Sequence, residues 1–222
     1  DPEQYLTQQL GDIKKEIGRC VNQETSSAAK ILMENAGVFE RDFEYISYYS
    51  RKYSVLCREF EEDPGCLNEP LSIDSMEKKL NSRIEEKTLG CVNFPVDKDY
   101  EIESGDMEVN TEILDENIIV SLNYTVELIK GVNHVKDTNF VFDVKNPLGE
   151  LTRVANRLLQ DKARGFVIDP LGFDLLNRNK YNLEVKKPYP DELYDLSLTD
   201  NDEFHFYFAV EGRGRDRGAV VN

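Results

Sequence analysis

Residues 118–129 read IIVSLNYTVELI, and this stretch decides the fold class of the chain. Polar and apolar side chains alternate along it, with Val120, Leu122 and Tyr124 on one side and Ser121 and Asn123 on the other. A period of two is typical of a β-strand that has one buried face and one wetter face. The stretch therefore predicts a strand at the centre of an antiparallel sheet.

The segments on either side carry the same period. They predict further strands at residues 100–103, 107–114 and 135–144, separated by short turns rich in Gly, Asp and Asn. Turns this short join antiparallel neighbours. We therefore expect a four-stranded antiparallel meander in the middle of the chain.

Three segments have apolar residues at every third or fourth position and predict amphipathic helices. A long N-terminal helix covers residues 4–35 and ends before Gly37, and a second begins at Asp74 or Ser75 and runs to about residue 89. A third begins at Pro147 and ends near Gly165. We expect its apolar side to cover the meander.

The C-terminal part predicts a turn-rich stretch at 166–179, with one helical turn at 171–176, and three strands at 181–187, 193–198 and 203–210. The fold class is thus α+β. We expect four consecutive parts: a helical, disulfide-stapled part (1–94), an antiparallel sheet with a helix (95–165), a small β unit (166–211) and a flexible tail (212–222).

Composition indicates a soluble globular protein. The chain has 222 residues, 40% of them hydrophobic and 32% charged, with a formal net charge of −16. This acidity argues against nucleic acid or an anionic membrane as a partner, because phosphate binding needs clustered cations. We expect attachment to a membrane only through an anchor absent from this sequence.

The four cysteines favour two disulfides. Cys57 and Cys66 flank an Asp-Pro-Gly turn that can bring them together, which leaves Cys20 to pair with Cys91. Their spacing does not resemble that of zinc ligands. The alternative is four reduced, buried cysteines. Disulfides indicate an oxidising compartment.

Two further features fit an extracytoplasmic protein that is secreted or tethered at the cell surface. The sequence starts at Asp1 without Met, so we expect that a signal peptide or a membrane anchor preceded it. Asn123-Tyr124-Thr125 is an acceptor triplet for N-glycosylation.

No motif in the sequence indicates an enzyme. The two histidines, His134 in a predicted turn and His205 on a predicted strand, favour structural roles. The acidic run at 200–203 fits a hairpin turn better than a calcium loop. We expect no catalytic residue, no metal and no cofactor.

Tyr45, Tyr48, Tyr49 and Tyr53 form either a packing layer or an exposed contact patch. If the protein assembles, they are the predicted interaction residues, because rigid amphipathic rings give contact area at low entropic cost. The sequence favours a non-enzymatic role in protein–protein interaction or assembly. A ligand-binding ectodomain and a secreted enzyme without a recognisable motif remain as alternatives.

The order of these signals resembles a group of poorly characterised archaeal cell-envelope proteins, which have an N-terminal membrane anchor and an extracytoplasmic domain. The resemblance lies in five features: the helix around Ile17 and Cys20, the Cys57 and Cys66 pair, the helix with Met76 and Glu77 that leads to Cys91, the strand at 118–126 and the strand at 204–209. It implies surface exposure and assigns no activity or catalytic residue.

Overall fold

A computed structural model of the protein describes residues 2–40, 44–60, 65–94 and 99–213. Within them it has four helices and nine strands, which confirms the α+β class. The helices are α1 (Pro2–Glu34), α2 (Ile73–Cys91), α3 (Leu148–Ala163) and α4 (Pro170–Leu176). The strands are β1 (Tyr45–Tyr48), β2 (Arg51–Glu59), β3 (Cys66–Asn68), β4 (Glu101–Ile113), β5 (Asn117–Lys130), β6 (Asn133–Lys145), β7 (Tyr181–Lys186), β8 (Glu192–Leu198) and β9 (Asn201–Glu211).

By their internal contacts the residues group into two compact units. The first comprises residues 1–29 and 77–146, and the second comprises residues 30–76 and 147–222. Each unit is assembled from two separate stretches of chain, whereas the sequence analysis divides the chain into four consecutive parts. Positions 63 and 64 of the predicted Asp-Pro-Gly turn, and positions 214–222 of the predicted tail, lie outside the described residues.

The first unit contains the meander, in the order β4-β5-β6. It has three strands where the sequence predicts four, because the two segments before β5 form the single strand β4. The expected turn is a bulge: Ser104 pairs with Val126 and Met107 pairs with Tyr124, so two residues of β4 stand opposite one of β5. A Gly between polar residues fits a bulge as well as it fits a turn.

Helix α2 provides hydrogen-bond acceptors for backbone amides at the free edge of β4. The Asn81 side-chain oxygen accepts a hydrogen bond from the Thr111 amide at 2.8 Å, and Glu77 accepts one from the Ile113 amide at 2.8 Å. Both amides belong to a strand that pairs only with β5, so they have no partner within the sheet. The two side chains thus hold α2 against the edge of the meander.

Helix α1 also packs on the meander. At Gly18 it comes so close to β6 that an added Cβ would lie 2.8 Å from the Phe142 ring. The Cys20–Cys91 disulfide links α1 to the last residue of α2, with 5.9 Å between the Cα atoms. The predicted pairing of these cysteines is confirmed.

The contacts of the helix from Pro147 are with strands of its own unit. This helix, α3, packs against β2, β3, β8 and β9 of the second unit. The apolar period of α3 shows that one side of the helix is buried, but it carries no information about which sheet buries it.

The second unit has a mixed sheet in the order β1-β2-β9-β8-β7, with β3 also paired to β2. Strand β2 is parallel to β9 and antiparallel to β1 and β3. The sequence analysis misses all three of the early strands. Five consecutive residues of β2, 53–57, are buried, so the strand shows no alternation of polar and apolar residues.

The second predicted disulfide is also present. Cys57 on β2 and Cys66 on β3 are bonded, with Cα atoms 5.5 Å apart, and they hold the short strand β3 against β2. The structure therefore contains both disulfides, and no cysteine is free among the described residues.

An ion-pair network ties α3 to the mixed sheet. The Lys162 side chain is only 8% exposed, and its Nζ lies 2.8 Å from Glu192 Oε2 and 3.6 Å from Glu59 Oε1. Tyr194 Oη donates to Glu192 at 2.5 Å. Burial by itself would raise the pKa of Glu192, but the hydrogen bonds from Lys162 and Tyr194 outweigh burial and lower it.

We expect the two disulfides to contribute unequally to stability. Since the Cys20–Cys91 loop is far longer, C20A/C91A should lower the free energy of unfolding by at most about 4 kcal/mol, and C57A/C66A by about 3 kcal/mol. Urea unfolding without reductant measures both. Non-reducing peptide mapping that finds Cys20 bonded to Cys57 would contradict the connectivity.

We expect K162M to destabilise the protein by about 2 kcal/mol at pH 7, because it removes the buried cation that pairs with the half-buried Glu192 and Glu59. Folding lowers the pKa of Glu192, so the ionised Glu192 carboxylate stabilises the folded state. This contribution is fully present above the ordinary pKa of 4.5 and is lost as the pH falls through the lowered pKa of the folded state. Urea unfolding at pH 7 and at pH 3.5 should show a smaller effect of K162M at the lower pH.

Lys187 supplies the matched control, because its Nζ lies 3.4 Å from the same Glu192 but its side chain is mostly exposed. K187M should cost less than about 1 kcal/mol. An equal loss of unfolding free energy in K162M and K187M would show that the burial of Lys162 adds nothing to the stability of its ion pairs.

Candidate interaction site

The predicted interaction tyrosines lie on the hairpin formed by β1 and β2, at the edge of the mixed sheet. Tyr45 pairs with Ser54, and Ile46 pairs with Tyr53. The turn contains Tyr49 at a φ of 51°, a left-handed conformation that a residue with a Cβ seldom adopts. Tight turns impose this conformation, and here it places an aromatic side chain at the tip of the hairpin.

The four tyrosines do not form one surface. Tyr53 is only 2% exposed and belongs to the core with Ile46, Val55, Leu193, Tyr207 and Ala209. Its assignment as an interaction residue is therefore wrong, because its strand is covered on both faces. Tyr48 is partly buried against that core, whereas Tyr45 is 42% exposed and Tyr49 is 91% exposed.

Two cations accompany the aromatic rings. Lys52 Nζ lies 4.3 Å from the centroid of the Tyr45 ring, and the Arg51 guanidinium lies 4.1 Å from that of Tyr207. The Tyr48 and Tyr49 rings meet edge to face at 4.7 Å. We call Tyr45, Tyr48, Tyr49, Arg51 and Lys52 the aromatic hairpin. Of these five residues the sequence predicts only the tyrosines as interaction residues, although both cations lie in the same short segment.

Asp195 and His205 form a polar cluster that holds the Arg51 guanidinium in place. Asp195 lies 3.8 Å from Arg51 and 2.6 Å from His205 Nδ1, while His205 Nε2 lies 2.9 Å from the Asp202 carbonyl oxygen. Burial, together with the nearby Asp195 charge, raises the pKa of Tyr207. Both ring nitrogens of His205 have partners within the protein, which is the structural role that the sequence favours.

The outer face of the meander presents a second, polar surface. An open groove of about 470 Å³ lies over it and is lined in part by Asn110, Ser121, Asn123 and Asn139. Asn123, the predicted glycosylation site, is exposed there and donates a hydrogen bond to Glu108 at 3.2 Å. The acceptor side chain therefore faces outward from the central strand.

His134 lies on β6 instead of in the turn where the sequence analysis places it. Its Nδ1 is 2.8 Å from Glu127 on the neighbouring strand β5. No group of three or more His, Cys, Asp or Glu residues in the described part of the chain could hold a metal ion. No helix among these residues is long and apolar enough to span a bilayer.

No protein-family model, curated protein or solved structure matches this chain.

We expect Asn123 to carry one N-linked glycan when the protein is secreted by a host with that modification, because its side chain is exposed and its triplet is intact. Intact mass and glycopeptide mapping measure this. T125S should keep the glycan and T125A should remove it. An unmodified Asn123 in secreted wild-type protein would contradict the assignment.

Proposed function

We propose that this protein is a non-enzymatic, extracytoplasmic cell-surface protein that acts in protein–protein interaction or assembly, as a component of an envelope or a filament. The observation that carries the proposal is the aromatic hairpin, which exposes Tyr45 and Tyr49 at the edge of a sheet. The two disulfides are compatible with an extracytoplasmic location.

The chemistry of the aromatic hairpin suits a protein partner. Tyrosine rings offer large apolar area and a polar tip, and their few rotatable bonds make their immobilisation inexpensive. Arg51 is already held by Tyr207 and Asp195, so little freedom is lost when it contacts a partner. Exposed aromatic and Arg side chains are enriched at the centres of protein interfaces.

Charge complementarity favours a second copy of the same chain as the partner. The edge strand β4 exposes five acidic residues and includes no basic residue: Glu101, Glu103, Asp106, Glu108 and Glu112. The aromatic hairpin contributes two cations. Because the two surfaces are different, their pairing would be head to tail, which is the type of contact that generates rings or filaments.

The groove over the outer face of the meander supports the second candidate, a ligand-binding ectodomain. Its amide and hydroxyl side chains, from Asn110, Ser121, Asn123 and Asn139, could hydrogen-bond a small polar ligand. The same groove contains the glycosylation site, and a glycan at Asn123 would occupy it. A glycan there would compete with a ligand for the groove, which favours assembly over ligand binding.

The assembly proposal predicts that Y45S/Y49S weakens self-association at least about tenfold, because two exposed rings leave the interface. Analytical ultracentrifugation of the purified protein over a range of concentrations measures the dissociation constant. Association should also weaken as salt is raised, since opposite charges face each other.

Y189S is the matched control, because Tyr189 is 96% exposed in the same unit but lies outside the aromatic hairpin. It should leave association unchanged. The assembly proposal fails if the wild-type protein is monomeric at every concentration, or if Y189S and Y45S/Y49S weaken association equally.

A further inference from the structure

A second apolar surface lies far along the chain from the aromatic hairpin. Within residues 166–176, five large apolar side chains are 58% to 86% exposed: Phe166, Val167, Leu171, Leu175 and Leu176. Helix α4, which carries three of them, has no buried residue. So many exposed apolar residues within eleven positions are unusual for a soluble protein and mark a contact surface. We call these five residues the apolar segment.

The geometry of α4 explains why Leu171 and Leu175 face outward. Successive residues of a helix are about 100° apart, so Leu171 and Leu175 lie on one side while Phe173 lies on the opposite side. Phe173 packs towards the sheet, with its ring 6.1 Å from that of Tyr181 on β7. The Asp169 side chain accepts a hydrogen bond from the Gly172 amide at 3.1 Å and fixes the start of the helix.

The apolar segment lies in the most basic part of an acidic protein. Residues 153–180 contain six Arg and Lys residues and three Asp residues, whereas the whole chain has a net charge of −16. Lys162 is buried in its ion-pair network, but Arg164 and Arg178, which bracket the apolar segment, are exposed. Five of the six cations are exposed, against one of the three aspartates, so most of the exposed charge in this stretch is positive.

We propose that the apolar segment is a membrane-contact site that inserts its side chains among anionic lipids, with Arg164 and Arg178 at the headgroups. Short amphipathic segments bind bilayers in this way, by burying apolar side chains at the headgroup boundary while basic residues contact anionic headgroups. The acidic remainder of the chain repels such a membrane only weakly, because charges farther than about 10 Å are largely screened at physiological salt.

Lipid suits this surface better than a protein does. The side chains project individually from a loop and a single short helix, and most of each side chain is exposed. A protein partner would need a preformed cavity for each of them, whereas a fluid bilayer adapts to any projecting shape. Patch-to-patch pairing of two copies would also bring Arg164 and Arg178 against the same cations of the other copy.

The test is flotation of the full chain with vesicles of phosphatidylcholine alone and of phosphatidylcholine with phosphatidylglycerol at 3:1. We expect binding to the anionic vesicles that falls between 50 and 500 mM salt. L171S/L175S should weaken it at least about tenfold, because two leucines lose their burial. R164E/R178E should abolish the preference for anionic vesicles.

The controls change the same types of residue elsewhere. V132S/V141S removes two exposed apolar side chains of the meander, and K15E/K78E reverses two exposed cations on α1 and α2. Both should bind vesicles as the wild type does. The proposal is overturned if the wild type binds neither vesicle, if L171S/L175S binds normally, or if L171S/L175S disrupts a dimer while vesicle binding is unchanged.

Discussion

The parallel pairing of β2 with β9 is the constraint on which the second unit depends. It joins Val55 to Ala209, so a segment that precedes the meander in the chain forms one sheet with the last described strand. The pairing brings Tyr53 and Tyr207 together, with ring centroids 5.7 Å apart, and places Arg51 over the Tyr207 ring. The edge position of β1, and hence the exposure of Tyr45 and Tyr49, follows from the same strand order.

Disulfides and an ion-pair network hold elements that have few hydrogen bonds to the rest of their unit. Strand β3 has three residues and pairs only with β2, and the Cys57–Cys66 disulfide holds it in place. In the other unit, Cys20–Cys91 joins two helices that are separated by a long stretch of chain. Helix α3 is tied to its sheet by Lys162, whose burial is tolerated because Glu59 and Glu192 supply opposite charge.

The distribution of charge over the surface, more than the net charge, determines which partners each surface can attract. A net charge of −16 argues against anionic partners, but opposite charges are concentrated in separate places. The exposed charged side chains of β4 are acidic, whereas those of the aromatic hairpin and most of those around the apolar segment are basic. Because salt screens charges over about 10 Å, each surface acts through its local charge. This is why the two proposals involve different partners.

The sequence by itself determined those features that depend on neighbouring residues. Alternation located the strands of the meander, apolar spacing located α1, α2 and α3, and the turn between Cys57 and Cys66 indicated their bond, which left Cys20 for Cys91. Of the tyrosines predicted for the candidate site, Tyr45 and Tyr49 are exposed, whereas Tyr53 is buried. Only the tertiary structure decided that β1–β3 exist, that α3 packs on the mixed sheet and that Tyr53 is buried. Local periodicity shows that a face is covered, but the residues that cover it lie far away in the chain, and β2, covered on both faces, has no periodicity to detect.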